Sequence, residues 1–133
     1  VTLNSTNMKK LDYLDAMTFP CDPLYPKEGR TWWLASDKEG PVGFAGMECL
    51  NERTAFLCRI GVFQRCAGNG IGRSLISVME RCARKEGYEA LVSYTLPDNY
   101  KSANNLIRCG FRLIKPYVSF GYKDALHFRK DLT

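Results

Sequence analysis

The sequence predicts one domain of the α/β class over residues 1–133, with helices flanking a sheet of mixed strand direction. Three observations predict this class. Short apolar segments separated by tight turns indicate an antiparallel β-meander. One strongly amphipathic segment with helical spacing follows them. Another apolar segment comes next and indicates a β-α-β crossover to a parallel strand. The composition, 45% apolar and 25% charged, is ordinary for a globular domain of this length.

The N-terminal part is predicted to be a helix over residues 4–17, because apolar residues recur there at every third position. Prolines within residues 20–26 end this helix and impose an extended loop, since proline lacks a backbone N–H. No basic segment followed by an apolar run opens the chain, so no signal peptide is expected. Val1 in place of a methionine indicates a processed or trimmed chain, and a removed leader stays open.

Three strands are predicted next, over residues 31–36, 42–50 and 54–62. The connections between them are too short for crossovers, so neighbouring strands should pair antiparallel. Adjacent side chains on a strand point to opposite faces. One of Trp32 and Trp33 is therefore expected in the core and the other over a cleft.

The helix with the strongest pattern is predicted over residues 70–86, and Gly87 is expected to end it. Its apolar positions are Ile71, Leu75, Val78, Met79, Cys82 and Ala83. A strand over residues 90–95, a short helix over 100–109 and a closing hairpin formed by 111–117 and 125–130 are predicted to follow. Asp98 or Asn99 would cap the short helix, and Gly110 would end it.

The six cysteines are Cys21, Cys49, Cys58, Cys66, Cys82 and Cys109. Their irregular spacing contains no C-x-x-C pair, so no metal site is predicted. Cys49, Cys58 and Cys82 have apolar neighbours and are predicted to be small core residues. Free thiols of this kind are typical of a reducing compartment, so we expect a cytoplasmic protein, with a secreted disulfide framework as the alternative.

The net charge of +5 arises from 19 basic and 14 acidic residues. Such a charge suits a nucleic acid or a polyanionic cofactor. The basic residues are scattered and form no block with interleaved aromatics, so nucleic acid is not expected as the main partner. No segment approaches the roughly 20 apolar residues of a membrane span, so no membrane partner is expected.

The segment from Val62 to Arg73 joins an apolar strand to the strongest helix, with glycines at Gly68, Gly70 and Gly72. Glycines there let the backbone approach a ligand closely. The first N–H groups of a helix have no internal acceptor and favour an anion, so the segment predicts a phosphate-binding turn. It is neither a nucleotide P-loop, since no lysine follows Gly70, nor a dinucleotide fingerprint, since Arg73 replaces its third glycine.

Two motifs in this sequence resemble those of the GNAT superfamily of N-acyltransferases. They are Arg65-x-x-Gly68-x-Gly70 and Asn99-x-x-Ser102 with the later Gly110-Phe111 step. The first is similar to the family's (Gln/Arg)-x-x-Gly-x-(Gly/Ala) signature, and the resemblance covers most of the chain. It implies a GNAT-like fold and the transfer of an acetyl or related acyl group from acetyl-CoA, as co-substrate, to an amine.

The resemblance also implies roles for single residues. The N–H of Ile60 would hold the thioester carbonyl and act as the oxyanion donor. The strand ending at Val62 would splay from the next strand and pair with the pantetheine arm. The acceptor amine would attack the thioester directly, without a covalent enzyme intermediate. The residues implied in cofactor binding are Ile60, Val62, Arg65, Ala67, Gly68, Asn69, Gly70, Ile71, Gly72, Arg73, Asn99, Ser102 and Asn105.

The sequence departs from the family pattern at three points. Ala67 replaces an arginine that many members place before the first glycine, and Leu106 replaces a proton-donating tyrosine. The strand over residues 54–62 lacks the glutamate that serves some members as general base. The remaining candidate bases are Glu48, Glu52 and Asp98, and the candidate acids are Tyr94, Tyr100 and Tyr117.

Two other functions remain open at this point. The missing tyrosine and glutamate suggest a non-catalytic acyl-CoA-binding or sensor module, and the charge of +5 suggests an acetyltransferase acting on an RNA-linked amine. The proline-containing loop over residues 19–26 is either a rigid connector or part of an acceptor site. The closing hairpin also leaves a homodimer open.

Overall fold

A computed structural model describes residues 30–62, 68, 70–116 and 124–133. The elements over these residues are β1 (Thr31–Asp37), β2 (Gly40–Cys49), β3 (Thr54–Val62), α1 (Ile71–Lys85), β4 (Ala90–Thr95), α2 (Tyr100–Arg108), β5 (Arg112–Ile114) and β6 (Leu126–Asp131). The strands form a six-stranded sheet in the order β1-β2-β3-β4-β6-β5. The predicted helix over residues 4–17 and the loop over residues 19–26 lie outside the described residues.

Strand directions confirm the predicted mixed α/β class. β3 pairs with β4 in parallel, whereas β1 with β2, β4 with β6 and β5 with β6 pair antiparallel. The bounds of β3 and β4 agree with the sequence prediction, and α1 is one residue shorter at each end. The two segments of the closing hairpin do pair, but β6 lies between β4 and β5 and is an inner strand.

Two compact units divide the chain, and the first comprises Val1–Glu48 and Leu57–Leu75. Within it, β1 and β2 form a hairpin in which Asp37 Oδ1 accepts a hydrogen bond from Glu39 N at 2.8 Å. Trp32 and Trp33 are 3% and 7% exposed, so both belong to the core and neither covers an open cleft. The expectation of one outward-facing tryptophan was therefore wrong, because both faces of β1 are covered.

The second unit comprises Cys49–Phe56 and Ile76–Thr133. Its core contains apolar side chains from α1, β4, α2 and β6, among them Ile76, Met79, Leu91, Leu106 and Phe128. The N–H groups of Glu89 and Ala90 both donate to Arg53 O, at 2.8 and 3.2 Å. These bonds hold the start of β4 beside the start of β3, where the parallel register begins.

A polar junction joins three elements of the second unit. Lys130 Nζ on β6 donates to Glu80 on α1 and, at 2.7 Å, to Cys109 O at the end of α2. The side chain of Lys130 packs beside Gly110, which has a positive φ of 94° and ends α2 as predicted. Arg84 on α1 also donates to Leu132 O. The last described strand is thus tied to both helices.

The helix ends follow the chemistry that the sequence predicts. Gly87, with φ of 88°, ends α1, and Tyr88 N donates to Ala83 O at 3.0 Å. Asn99, rather than Asp98, is the N-cap of α2, because its side chain accepts a hydrogen bond from Ser102 N at 3.3 Å. β5 ends at Ile114, well before the predicted end at residue 117, and Pro116 cannot donate to a ladder.

Of the three cysteines predicted to be core residues, only Cys58 is fully buried. Cys58 is buried as predicted, and Cys82 is half-buried. Cys49 is exposed, since β2 ends there and the chain turns towards solvent. Its hydrogen bond to Tyr88, with burial as the second cause, raises the pKa of Tyr88 to about 12. Cys21 and Cys66 lie outside the described residues.

Neither α1 nor α2 has the length and continuous apolar character that crossing a bilayer requires, and these are the helices of the described part of the chain. Among the same residues, no three histidine, cysteine, aspartate or glutamate side chains come together as a metal site would require.

Candidate functional site

β3 supplies the first part of the candidate site. Its parallel register with β4 covers three residue pairs, Thr54–Phe56 with Ala90–Val92. The strand continues beyond that register to Val62, and Ile60 and Val62 are both half-buried. The residue proposed as oxyanion donor is therefore in regular strand conformation, four positions beyond the last pair with β4.

Gly43 on β2 fixes where α1 begins. A methyl group at this position would lie 3.0 Å from Ile71 Cγ2 and 3.1 Å from Gly61 O, tighter than most contacts of this kind in proteins. Leu75 Cδ1 would be 3.5 Å away. The absence of a side chain at Gly43 thus lets the first turn of α1 lie directly on the sheet. Sequence reasoning missed this role, although a glycine inside a strand is itself a signal of close backbone approach.

The turn before α1 has the conformation that its glycines predict. Gly68 and Gly70 have φ of 85° and 76°, a region that side chains disfavour. Among the described residues, nothing lies within 4 Å of the place where a side chain on Gly68 would begin, so that side of the turn is open to them. Three other predicted positions in this segment, Arg65, Ala67 and Asn69, lie outside the described residues.

The N-terminus of α1 is suited to an anion. The helical ladder begins with Ser74 N donating to Gly70 O at 3.0 Å, so the N–H groups of Ile71, Gly72 and Arg73 have no acceptor within the helix. The first turn contains no acidic residue whose negative charge would offset the partial positive charge of these N–H groups. Arg73 is exposed and adds a positive charge to the partial charge of the helix dipole.

The remaining predicted binding residues belong to the second unit. Asn99 is exposed, whereas Ser102 and Asn105 are half-buried on the next turns of α2. Asn99 also has a structural role that the sequence resemblance did not specify, because its side chain caps the helix. Its backbone O accepts from Ala103 N at 3.1 Å, which starts the helical ladder.

Leu106 is 1% exposed and belongs to the core of the second unit. The position at which the sequence resemblance predicts a proton-donating tyrosine is therefore an apolar packing position here. β3 carries no carboxylate along its described length.

The candidate acids and bases have diverse surroundings. Glu48 pairs with Arg30, with Oε2 at 3.2 Å from Nη2, and both side chains are less than one-third exposed. Glu52 and Asp98 are exposed. The Tyr94 ring stacks on Phe56 with centroids 5.6 Å apart. Tyr100 is exposed on α2, and Tyr117 lies outside the described residues.

The Arg30–Glu48 pair was not foreseen from the sequence, because the two residues are 18 positions apart and no local spacing relates them. Arg30 immediately precedes β1 and Glu48 is near the end of β2, so the β1–β2 register brings them together.

Comparison with known proteins decides the family. Residues 6–111 match the acetyltransferase (GNAT) family. The chain belongs to this family. It is 25% identical over 104 residues to the probable N-acetyltransferase 14 of Xenopus tropicalis, which covers 77% of this chain. The match covers 50% of that relative, so the chain spans about half the length of the curated protein it resembles.

Solved structures show the GNAT fold. The IAA acetyltransferase from Bacillus cereus has a TM-score of 0.82 at 16% identity, over 98% of this chain and 97% of that one. The Bacillus subtilis acetyltransferase in complex with CoA has a TM-score of 0.81 at 17% identity, over 100% and 97%. The ribosomal-protein-S18-alanine N-acetyltransferase from Escherichia coli has a TM-score of 0.78 at 15% identity, over 100% and 92%.

Proposed function

We propose that this GNAT-family chain binds acetyl-CoA and transfers its acetyl group to an amine of an acceptor by direct attack. The observation that carries the proposal is the turn from Gly68 to Arg73. It combines positive-φ glycines, an open side at Gly68, an acid-free helix N-terminus and an exposed arginine. A similar structure, the Bacillus subtilis acetyltransferase, was solved in complex with CoA.

The turn would hold the pyrophosphate of acetyl-CoA. A phosphate group approaches the backbone closely only where no Cβ intervenes, and Gly68 meets that requirement. The N–H groups of Ile71, Gly72 and Arg73 would donate to its oxygens, and the Arg73 side chain would add a charge-assisted contact. Asn99, Ser102 and Asn105 are the residues that we propose for contacts with the pantetheine arm.

β3 would contribute to the chemical step. The acceptor nitrogen would attack the thioester carbonyl carbon, the carbon–sulfur bond would break, and its electron pair would leave on sulfur. The nitrogen would lose its extra proton to a base or to water. We assign the N–H of Ile60 to the developing oxyanion. A thiolate is a good leaving group near neutral pH, since thiols have a pKa of about 8.5, so a leucine at position 106 is compatible with turnover.

A second candidate function has a specific observation in its favour. Leu106 is a core residue and β3 carries no carboxylate, so two groups that assist catalysis elsewhere in the family are absent from those positions. This favours an acyl-CoA-binding module without turnover. Release of free CoA thiol from acetyl-CoA in the presence of a panel of amines distinguishes the two, because a binding module releases none.

The test of cofactor binding uses two glycines that share the same backbone strain. Gly68 and Gly87 have φ of 85° and 88°, and no atom of the described part of the chain lies within 4 Å of the position that a methyl group on either would occupy. Gly68→Ala and Gly87→Ala should therefore each lower stability by about 1–2 kcal/mol. Only Gly68 lies at the proposed pyrophosphate site, so only Gly68→Ala should lose stabilisation by acetyl-CoA.

Thermal unfolding measures this difference. At 100 times its dissociation constant, acetyl-CoA should add about 2.7 kcal/mol to the stability of the parent and of Gly87→Ala, and raise their midpoints by several degrees. Gly68→Ala should show a much smaller rise at the same concentration. Equal rises in both variants would remove the pyrophosphate assignment. No rise in the folded parent at millimolar acetyl-CoA would remove the donor itself.

A further inference from the structure

The net charge of the chain is concentrated in one segment. Residues 99–123 contain five basic side chains and no acidic one: Lys101, Arg108, Arg112, Lys115 and Lys123. Elsewhere, 14 basic and 14 acidic residues cancel. The net charge of the chain therefore equals that of residues 99–123, the segment that includes α2 and β5. A segment of this kind attracts an anionic partner.

One face of α2 presents these charges beside apolar side chains. Tyr100 and Ile107 are 72% and 55% exposed, and Lys101 and Arg108 are also exposed. Both pairs are seven residues apart, so they form two adjacent columns about 10 Å long. The buried side of α2 contains Leu106, away from this face.

β5 follows α2 directly along the chain, contacts it and adds two exposed side chains. Phe111 N donates to Leu106 O at 2.9 Å, so the chain leaves α2 with Phe111 packed beneath it. Leu113 lies two residues further, within β5, and is 59% exposed. Lys115 follows it and is exposed as well. We name Tyr100, Lys101, Ile107, Arg108, Leu113 and Lys115 the basic–apolar face.

The cations of this face are available to a partner. Arg112 is excluded from it, because it pairs with Asp131 at 2.9 Å. Lys101, Arg108 and Lys115 form no ion pair with any residue in the described ranges. Three large apolar side chains interleaved with unpaired cations are unusual for a surface that meets only water, and such clusters mark interaction sites.

We propose that the basic–apolar face docks an acidic polypeptide segment that carries apolar side chains. Carboxylates about 10 Å apart on such a segment would meet Lys101 and Arg108, and apolar side chains between them would cover Tyr100 and Ile107. No acidic side chain on the face opposes this charge complementarity.

The side chains favour a polypeptide over other polyanions. Ile107 and Leu113 are aliphatic and offer no stacking platform, so Tyr100 is the one exposed aromatic that the face gives to a nucleic acid base. Asn104, which is exposed, lies between the two apolar residues of α2. The polar amide of Asn104 interrupts the apolar surface that Tyr100 and Ile107 form over two helical turns. Such a surface is poorly suited to insertion into lipid.

The basic–apolar face uses different side chains from the proposed acyl-CoA site, although the two adjoin on α2. Ser102 is half-buried and lies one turn from the buried Leu106, whereas Asn105, also half-buried, lies one turn from both Lys101 and Arg108 and borders the face. Gly68 is not part of the face, so peptide binding should survive Gly68→Ala, a substitution that should weaken acetyl-CoA binding.

The experiment measures fluorescence anisotropy of a labelled helical peptide built of glutamate and leucine, titrated with the whole chain. A glutamate–serine peptide of equal charge, a single-stranded RNA of equal charge and phosphatidylserine vesicles are the comparison ligands. Lys101→Glu/Arg108→Glu reverses the charged column, and Ile107→Ser/Leu113→Ser removes apolar contacts. The control is Arg81→Glu/Lys85→Glu on α1, which changes the net charge equally at exposed positions.

The glutamate–leucine peptide should bind at least about tenfold more tightly to the parent than to either test variant, and the control should retain most of the affinity. Binding should weaken as salt rises to roughly 0.15 M, because the charges are exposed. Equal loss in the control would show bulk electrostatics and overturn the proposal. Tighter binding of RNA, of vesicles or of the glutamate–serine peptide, or no peptide binding at all, would overturn it too.

Discussion

At the scale of single residues, the pairing of Trp32 with Gly46 shows how β1 and β2 are locked in register. The two residues are directly opposite in the antiparallel ladder. A methyl group at Gly46 would lie 2.5–2.8 Å from three carbons of the Trp32 ring, so the indole lies flat against the glycine backbone. The ring also contacts Phe44, with centroids 6.2 Å apart. A side chain at position 46 would displace it.

Gly46→Ala is therefore expected to destabilise the chain by about 1–3 kcal/mol, as overpacking of a dense core does. Chemical denaturation measures the free energy of unfolding. The control is the same substitution in a Trp32→Leu background, where the smaller side chain leaves room. The cost of Gly46→Ala should fall there by at least about 1 kcal/mol. An unchanged cost in that background would show that the strand, rather than the indole, requires the glycine.

At the scale of elements, one residue at the start of α2 has two assigned roles. Asn99 caps the helix through its side-chain oxygen, and the family resemblance also places it at the pantetheine arm. Measurements of the free energy of unfolding report on the capping role, and measurements of acetyl-CoA affinity report on the binding role. A serine keeps the capping oxygen but removes the amide.

Asn99→Ala should lower the free energy of unfolding by about 1 kcal/mol, whereas Asn99→Ser should be nearly neutral. Asn104→Ala is the matched control, because it is exposed in the middle of the same helix and alanine is the better helix former. It should leave stability unchanged or slightly higher. Denaturation gives these values. If Asn99→Ala proves as harmless as Asn104→Ala, the cap contributes nothing.

Local patterns in the sequence were sufficient for the bounds of most elements. Alternation and turn residues placed β3 and β4, and helical spacing with Gly87 placed α1. They could not place β6 between β4 and β5, because strand order depends on contacts between distant segments. They also could not show that Trp33 is covered or that Cys49 is exposed, since both depend on what packs against the strand.

For the candidate site too, the sequence predicted the local backbone conformation but not the contacts between distant residues. The positive φ of Gly68 and Gly70 follows from their place between a strand and a helix. The close approach at Gly43 and the Arg30–Glu48 pair depend on tertiary register, which no local spacing encodes. The extent of the domain over residues 1–133, the cytoplasmic location and a homodimer stay predictions.

At the scale of the whole molecule, stability should depend on pH through the junction of Glu80, Lys130 and Arg84. Burial alone would raise the pKa of Glu80, but the hydrogen bonds and charges of Lys130 and Arg84 outweigh it and lower that pKa below its ordinary value. A carboxyl whose pKa is lowered by folding stabilises the folded state above its unfolded pKa. That contribution disappears as the pH falls through the lowered pKa.

Glu80→Gln should therefore cost about 1–2 kcal/mol at pH 7, since a charged hydrogen-bond acceptor is lost, and progressively less below pH of about 4. Thermal midpoints of parent and variant across this range provide the measurement. Glu89→Gln is the control, because Glu89 and Arg53 are well exposed and 4.0 Å apart, and it should have little effect at any pH. A difference between parent and Glu80→Gln that persists at strongly acidic pH would contradict the assigned ion pair.

The inner position of β6 has a consequence for the chain while it is being made. β4 and β5 leave the ribosome before β6, yet β6 is the strand that joins them. Until Leu126–Asp131 has emerged, the far edge of β4 exposes unpaired N–H and C=O groups, and β5 has no neighbour to bond to. An open edge of that kind pairs readily with other chains. In the interval between synthesis of β4 and of β6, the far edge of β4 is thus open to pairing with other chains.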